Sequence, residues 1–195
     1  MFKNMGFIQK TIVVVIALLI LYVIAVAFIY TSISSKRQTV ESNFANIHAA
    51  IQRKADLLPE LSKLISQNTV TKSEKQKLLE NIQAIQKKLD STNDPNELYK
   101  LQQGLNDISA TILSHLQTGI DKDFLIRYQA QVEGSENRIN IARYQYNQAV
   151  DQYNSSISGF FGIIVNDTFL HYKKAIYYHS SEATGFEASK NIFES

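Results

Sequence analysis

The hydrophobic pattern changes character once, near residue 30. From Ile12 to Ile29 the chain reads IVVVIALLILYVIAVAFI, eighteen residues without a charge and with Tyr22 as the only polar handle. A bilayer core about 30 Å thick needs roughly 20 apolar helical residues. Residues 11–30 supply them, with Ile12, Leu18, Tyr22 and Ile29 distributed along the span. A cleaved signal peptide is the competing reading, because Ala25-Val26-Ala27 resembles a cleavage site after a basic start. The apolar run continues through Phe28 and Ile29, and this favours an uncleaved anchor.

Beyond the anchor the apolar positions recur at alternating steps of four and three, the signature of a helix with one buried stripe. Val40, Phe44, Ile47, Ile51, Leu58, Leu61 and Ile65 follow this rhythm, with Lys54 in the missing rung. The spacing predicts a first helix running from the membrane to about residue 68. Pro59 withholds the hydrogen bond that a helix would send to the carbonyl of Ala55, so a kink is expected at 55–58.

Thr71 and Glu74 have the form of a capping box, and Leu78, Ile82, Ile85 and Leu89 continue the stripe. Asp94, Pro95 and Glu97 mark the start of a third helix with Leu98, Leu101, Leu105, Ile108, Ile112 and Leu116 on one face. Gly119 is placed to end it. The fourth helix starts at Asp121 or Lys122 and carries Tyr128, Val132, Ser135, Ile139, Ala142, Tyr146, Ala149 and Tyr153. The expected fold is all-α: a transmembrane helix continuing into an antiparallel, up-down bundle of about four long helices, with a short C-terminal tail. The layout is an N-terminal flank at 1–10, an anchor at 11–30, a bundle at 31–158 and an apolar segment plus tail at 159–195.

Short connections make successive helices alternate in direction, so the fourth returns toward the membrane. That places GFFGIIV, residues 159–165, near the membrane surface. Phe160, Phe161, Ile163 and Ile164 are therefore candidate membrane or partner contacts. The alternative is that Phe160, Phe161 and Ile163 fold back as core. The following DTFLHYKKAIYYHS suggests a short helix.

Charge narrows the function. Of 20 Lys+Arg and 18 Asp+Glu, only Lys3 and Lys10 precede residue 31, so the rest of the chain is neutral. A neutral domain lacks the basic footprint of a nucleic-acid binder and the polybasic excess that binds anionic lipid. Lys3 and Lys10 on one side of the anchor and Lys36 and Arg37 on the other leave its orientation open. The chain has no Cys, which excludes disulfides and thiolate chemistry. His48, His115, His171 and His179 form no ligand pair at helical spacing, so no metal nucleus is present in the sequence. No nucleophile elbow or glycine-rich phosphate loop occurs. Neither a cofactor nor a small-molecule substrate is indicated.

One polar pattern stands out. Glu136, Asn140, Arg143, Asn147, Val150 and Asn154 form a second stripe on the fourth helix beside the tyrosines. Three Asn occupy positions where Lys or Glu would favour helix more, which implies directional hydrogen bonds. The partner is either the first helix, with Asn46, Arg53 and Asp56, or a neighbouring subunit in which Asn sets register; a solvated face is the third reading.

Two blocks resemble the signatures of the LemA family of bacterial membrane proteins. VESNFANIHAAIQRKADLLPEL (40–61) is similar to the first, at Val40, Glu41, Asn46, Ile47, Arg53, Asp56, Leu57, Leu58, Pro59 and Leu61. EGSENRINIARYQYNQAVDQYN (133–154) is similar to the second, from Glu133 to Ile139 and then at Ala142, Arg143, Tyr146, Asn147, Ala149, Val150, Tyr153 and Asn154. Phe44 departs from the family's usual Trp, and Phe160-Phe161-Gly162 stands where Phe-Pro is common.

The resemblance implies a helical bundle on an anchor in a bacterial cytoplasmic membrane, with no established catalytic activity. It also implies that Glu136, Asn137, Arg138 and Arg143 join a buried polar network with Arg53 and Asp56; Asn46, Glu133 and Asn147 are further candidates. Val40, Phe44, Ile47, Ile51, Ile139, Ala142, Tyr146 and Tyr153 are the expected core seam. The leading functional expectation is a non-enzymatic interaction or scaffold protein that binds protein partners or forms homo-oligomers. Relatives linked to membrane organisation, magnetosome formation among them, or encoded near membrane proteases suggest an alternative, an accessory subunit of such a protease. A ligand-sensing helical domain is the third.

Overall fold

The computed structural model describes residues 6–65, 71–116 and 122–178. The helices follow the hydrophobic rhythm: α1 (Phe7–Ile65), α2 (Lys72–Leu89), α3 (Pro95–Leu116), α4 (Lys122–Ser158) and α5 (Phe160–Val165). A π-helical turn spans Asn166–Leu170. Helix α1 runs through Pro59 to Ile65 without leaving helical geometry. Gly119 and the expected helix end there lie outside the described residues.

The caps form as their chemistry requires. The Thr71 hydroxyl accepts from the amide of Glu74, and the Glu74 carboxylate accepts from the amide of Thr71, closing both halves of the capping box. At α3 the Asp94 carboxylate accepts from the amide of Asn96 at 2.9 Å, and Pro95 occupies the first turn, where a missing N–H costs nothing.

The chain divides into two compact units. One gathers the described parts of Met1–Val40 and Asp151–Ala175, the other those of Glu41–Val150 and Ile176–Ser195. In the second unit the polar contacts define helix directions. His48 reaches the carbonyl of Leu89 and Gln86 reaches that of Ala55, so α1 and α2 are antiparallel. Phe44 meets Tyr146 and Lys54 meets Glu136, so α1 and α4 are antiparallel as well. Ile47, Ile51, Leu58, Ile82, Leu89, Leu98, Leu105, Ile112, Ile139 and Val150 are buried between these helices. Gly104 allows the α2–α3 approach: a Cβ there would stand 3.0 Å from the Ile85 side chain.

The first unit holds the long apolar stretch of α1. Residues 12, 14–16, 18–24 and 28 expose their apolar side chains, and this stretch of α1 is long and apolar enough to cross a membrane. Past it, Ile33, Val40, Tyr153, Ile157, Val165 and Leu170 are buried. Gly162 is forced by close approach, because a Cβ would fall 1.8 Å from the carbonyl oxygen of Ser156. The 159–165 segment is a short helix here. Its Phe160, Phe161, Ile163 and Ile164 face outward while Gly162 and Val165 are buried, so the fold-back of Phe160, Phe161 and Ile163 into the core does not occur.

Candidate functional site

The core seam folds as its spacing requires, and Val40, Ile47, Ile51, Ile139, Ala142, Tyr146 and Tyr153 are all buried. Phe44 is half-buried, with its ring 5.8 Å from that of Tyr146. The remaining polar atoms on this seam and the adjacent amide stripe do something the helices alone do not explain.

The partner of Asn147 and Asn154, two members of the amide stripe, is the C-terminal tail. His171 adopts a left-handed backbone with φ 51, ending the π turn. The short helix expected from Asp167 onward is confined to this turn, and residues 171–178 run without helix or strand. Backbone N–H and C=O groups in such a segment need partners, and side chains provide them. In the first unit, Asn166 donates to the carbonyl of Tyr172 at 3.1 Å and accepts from its amide at 2.9 Å. Asn154 treats Ala175 the same way, at 3.0 and 2.8 Å, and the Tyr153 hydroxyl donates to the carbonyl of Lys173 at 2.8 Å. Arg37 lies 4.3 Å above the Tyr172 ring, a cation–π contact between α1 and the tail.

The second unit repeats the device. Asn147 donates to the carbonyl of Tyr178 at 3.0 Å and accepts from its amide at 2.9 Å. The Tyr146 hydroxyl donates to the carbonyl of Ile176 at 2.6 Å. Each Asn amide thus presents a donor and an acceptor to one residue, as a neighbouring strand would.

Tyr178 is the anchor of the tail. Its side chain is 1% exposed, packs edge-on against Tyr99 at 5.9 Å, and donates its hydroxyl to Gln102 Oε1 at 2.7 Å. Burial pushes the Tyr178 hydroxyl well above the usual phenol range, with the Arg143 charge opposing. Gln102 spends its other end on Glu136, donating through Nε2 at 3.4 Å. Glu136 in turn pairs with Lys54, which also reaches Asn106. Lys54 is 2% exposed, and burial lowers its ammonium from 10.5 to about 8. A chain of polar contacts therefore runs from the tail hydroxyl through α3 and α4 to a buried cation on α1.

This relocates the expected network. Glu136 is in it and Asn147 holds the tail, but Asn46, Arg53, Asp56, Glu133, Asn137 and Arg138 are exposed. The partner of Glu136 on α1 is Lys54, not Arg53 or Asp56. Asp56 accepts instead from Gln52, one turn back on its own helix, at 3.1 Å. Arg143 is half-buried beside Tyr178, and its Nε is buried without a hydrogen-bond partner among the described residues. Asn140 is exposed. Lys54, Gln102 and Tyr178 were missing from the expected set. The signal for Lys54 was a lysine in an apolar seam; Gln102 and Tyr178 carried none in the sequence.

Arg53 and Arg138 do come together elsewhere, on the wall of an open cleft of about 460 Å³ with Leu57, Gln131 and Ser135. Among the described residues no group of three or more His, Asp or Glu could hold a metal ion.

The family model described as the LemA family matches residues 43–190. No curated protein matches the chain in sequence. The matched region includes the α1 and α4 faces of the bundle and the tail that α4 holds.

Proposed function

We propose that this chain, which belongs to the LemA family, is a single-pass protein of a bacterial cytoplasmic membrane whose helical bundle acts as a non-enzymatic interaction or scaffold module. The observation that carries the proposal is the continuity of α1. One helix bears an exposed apolar span at Ile12–Ile29 and, without a break, the buried positions Ile47, Ile51 and Leu58 of the bundle. Such an arrangement ties the bundle to the membrane. Lys54, Glu136, Gln102 and Tyr178 engage one another across the bundle, as in a structural module. No catalytic activity is known for the family.

The outward-facing Phe160, Phe161, Ile163 and Ile164 of α5 supply a second membrane contact in this reading. They belong to the same compact unit as the span, and Arg37 of that unit, seven residues past Tyr30, stacks on Tyr172. Seven helical residues rise only ~10.5 Å, so this part of the tail lies near the interface. The chain has no Trp, so Phe161→Trp in proteoliposomes gives a single reporter. Brominated lipid should quench it; full emission at every bromine depth removes α5 from the membrane. For the module itself, crosslinking in intact membranes should trap defined oligomers or one discrete partner, and a strictly monomeric, partnerless protein there would refute the proposal.

A further inference from the structure

The seat that Tyr178 occupies reads a polypeptide backbone. Asn147 bonds both main-chain groups of Tyr178, and Tyr146 bonds the main-chain carbonyl of Ile176. None of these three bonds depends on the side chain of the residue held, so any extended segment satisfies them. Side-chain selection is exerted at Tyr178, where Tyr99 and Gln102 enclose the tyrosine ring and its hydroxyl. Ile176, by contrast, is half exposed and adds no selection. The elements amount to a receptor for an extended strand with one tyrosine anchor, filled in this chain by residues 176–178.

We infer that this seat takes the same segment from a second copy of the chain, so that copies exchange tails. A second copy carries the same Ile176-Tyr177-Tyr178 and satisfies every bond identically. The choice between the two arrangements is then left to the connection and to concentration. The connection turns at His171, a non-glycine residue with positive φ, and such strain is released when a segment leaves its native path; Tyr172, Lys173 and Ala175, held by Asn166, Tyr153 and Asn154, leave with it and re-form the same bonds on the second copy. Anchoring confines copies to one membrane and raises the local concentration of tails. The inference rests on the self-association included in the proposed function and specifies its contact.

Two tagged forms of the full chain test it in one membrane. The first carries a damaged seat, Gln102→Ala with Asn147→Ala, and an intact tail. The second carries Tyr178→Ala and an intact seat. A like pair of either form lacks any complete seat-and-tail contact, whereas the mixed pair restores one between copies. The mixed pair should co-purify several-fold above both like pairs. If wild-type copies co-purify but the mixed pair does no better than like pairs, tail exchange is overturned while self-association stands. If wild-type copies do not co-purify at all, self-association fails and exchange fails with it. Circular dichroism checks folding of each form. Should a double lesion unfold, Gln102→Ala paired with Tyr178→Phe repeats the design with the hydroxyl contact removed from both forms and the Gln102–Glu136 bond from the first, and the same ordering is expected.

Discussion

The helical core and the C-terminal tail are held by opposite means. Between the helices, Ile47, Ile51, Leu58, Leu98 and Ile139 lose all exposure to water, and the non-directional removal of apolar surface does the work. Along the tail, one side chain is buried and five side chains, Tyr146, Asn147, Tyr153, Asn154 and Asn166, bond to main-chain groups. Apolar burial tolerates exchange of one hydrophobe for another of similar volume. A backbone-reading clamp tolerates almost any tail residue but no change in the amide that reads it. Substitution on one side should therefore differ in kind from substitution on the other.

The largest effect belongs where the two regions share a residue. Tyr146 lies in the core seam and its hydroxyl holds the tail. Tyr146→Asp places an unpaired charge in the seam and should destabilise by several kcal/mol, read as a fall in the unfolding midpoint of the full chain in detergent. Tyr146→Phe keeps the ring and loses only the bond to Ile176, a loss of about 1 kcal/mol. An unchanged midpoint in the Asp variant would falsify the assignment of Tyr146 to the seam.

Gly162→Ala comes next. The added methyl would fall 1.8 Å from the Ser156 carbonyl oxygen, a backbone atom that cannot swing aside, so α5 must shift. Gly104→Ala meets only the flexible end of Ile85 at 3.0 Å, and the gain in helix propensity of up to ~1 kcal/mol offsets that contact. Unfolding midpoints should fall clearly for the first and move little for the second; a reversed order would contradict the close approach at α5.

Asn147→Ala isolates the clamp. It removes two bonds and leaves the amide and carbonyl of Tyr178 without their partner, for a loss of about 1–3 kcal/mol. The loss should concentrate in the tail. Amide hydrogen exchange at Ile176–Tyr178 should accelerate while the α2 and α3 amides keep their protection. Uniform acceleration across α2 and α3 would mean that tail and core are one cooperative unit.

Much of this contrast was legible in the sequence. The long apolar stretch of α1, the capping box, the Asp94-Pro95 start and the core stripe of α4 follow from composition, spacing and cap chemistry, because burial imposes a period on the residues that undergo it. The Asn stripe was visible for the same reason, as a regular face that demanded partners. Its partner was not. Bonds to backbone impose nothing on the residues bonded, so Lys173, Ala175 and Ile176 carry no mark of being held. The seat's other wall, Tyr99 and Gln102, comes from α3, and the pairing with Asn147 of α4 exists only once the helices pack. Lys54 was visible as a gap in the seam. Its pairing with Glu136, one residue along from the Arg53 the family pattern suggested, is a matter of rotation about the α1 axis that periodicity does not fix to a single residue.

Lys54 gives the most specific test. Its folded value of about 8 lies below the 10.5 of an unperturbed lysine. Below pH 8 both states hold the proton. Between about 8 and 10.5 the unfolded chain binds a proton that the folded chain has released, so stability rises with pH through that window, by at most ~1.4 kcal/mol per pH unit. The tyrosines act in the other direction. Burial pushes Tyr146 up to about 12 from 10.0. Above pH 10 the unfolded chain releases that proton first, and stability falls. Denaturant midpoints of the wild-type chain should therefore climb from pH 8 to about 10 and decline beyond. Lys54→Met should abolish the climb and keep the decline, because only the first belongs to the buried ammonium. Should the variant climb as steeply as the wild type, the buried cation of the core is not Lys54, and the link from the tail hydroxyl through Gln102 and Glu136 ends at α4.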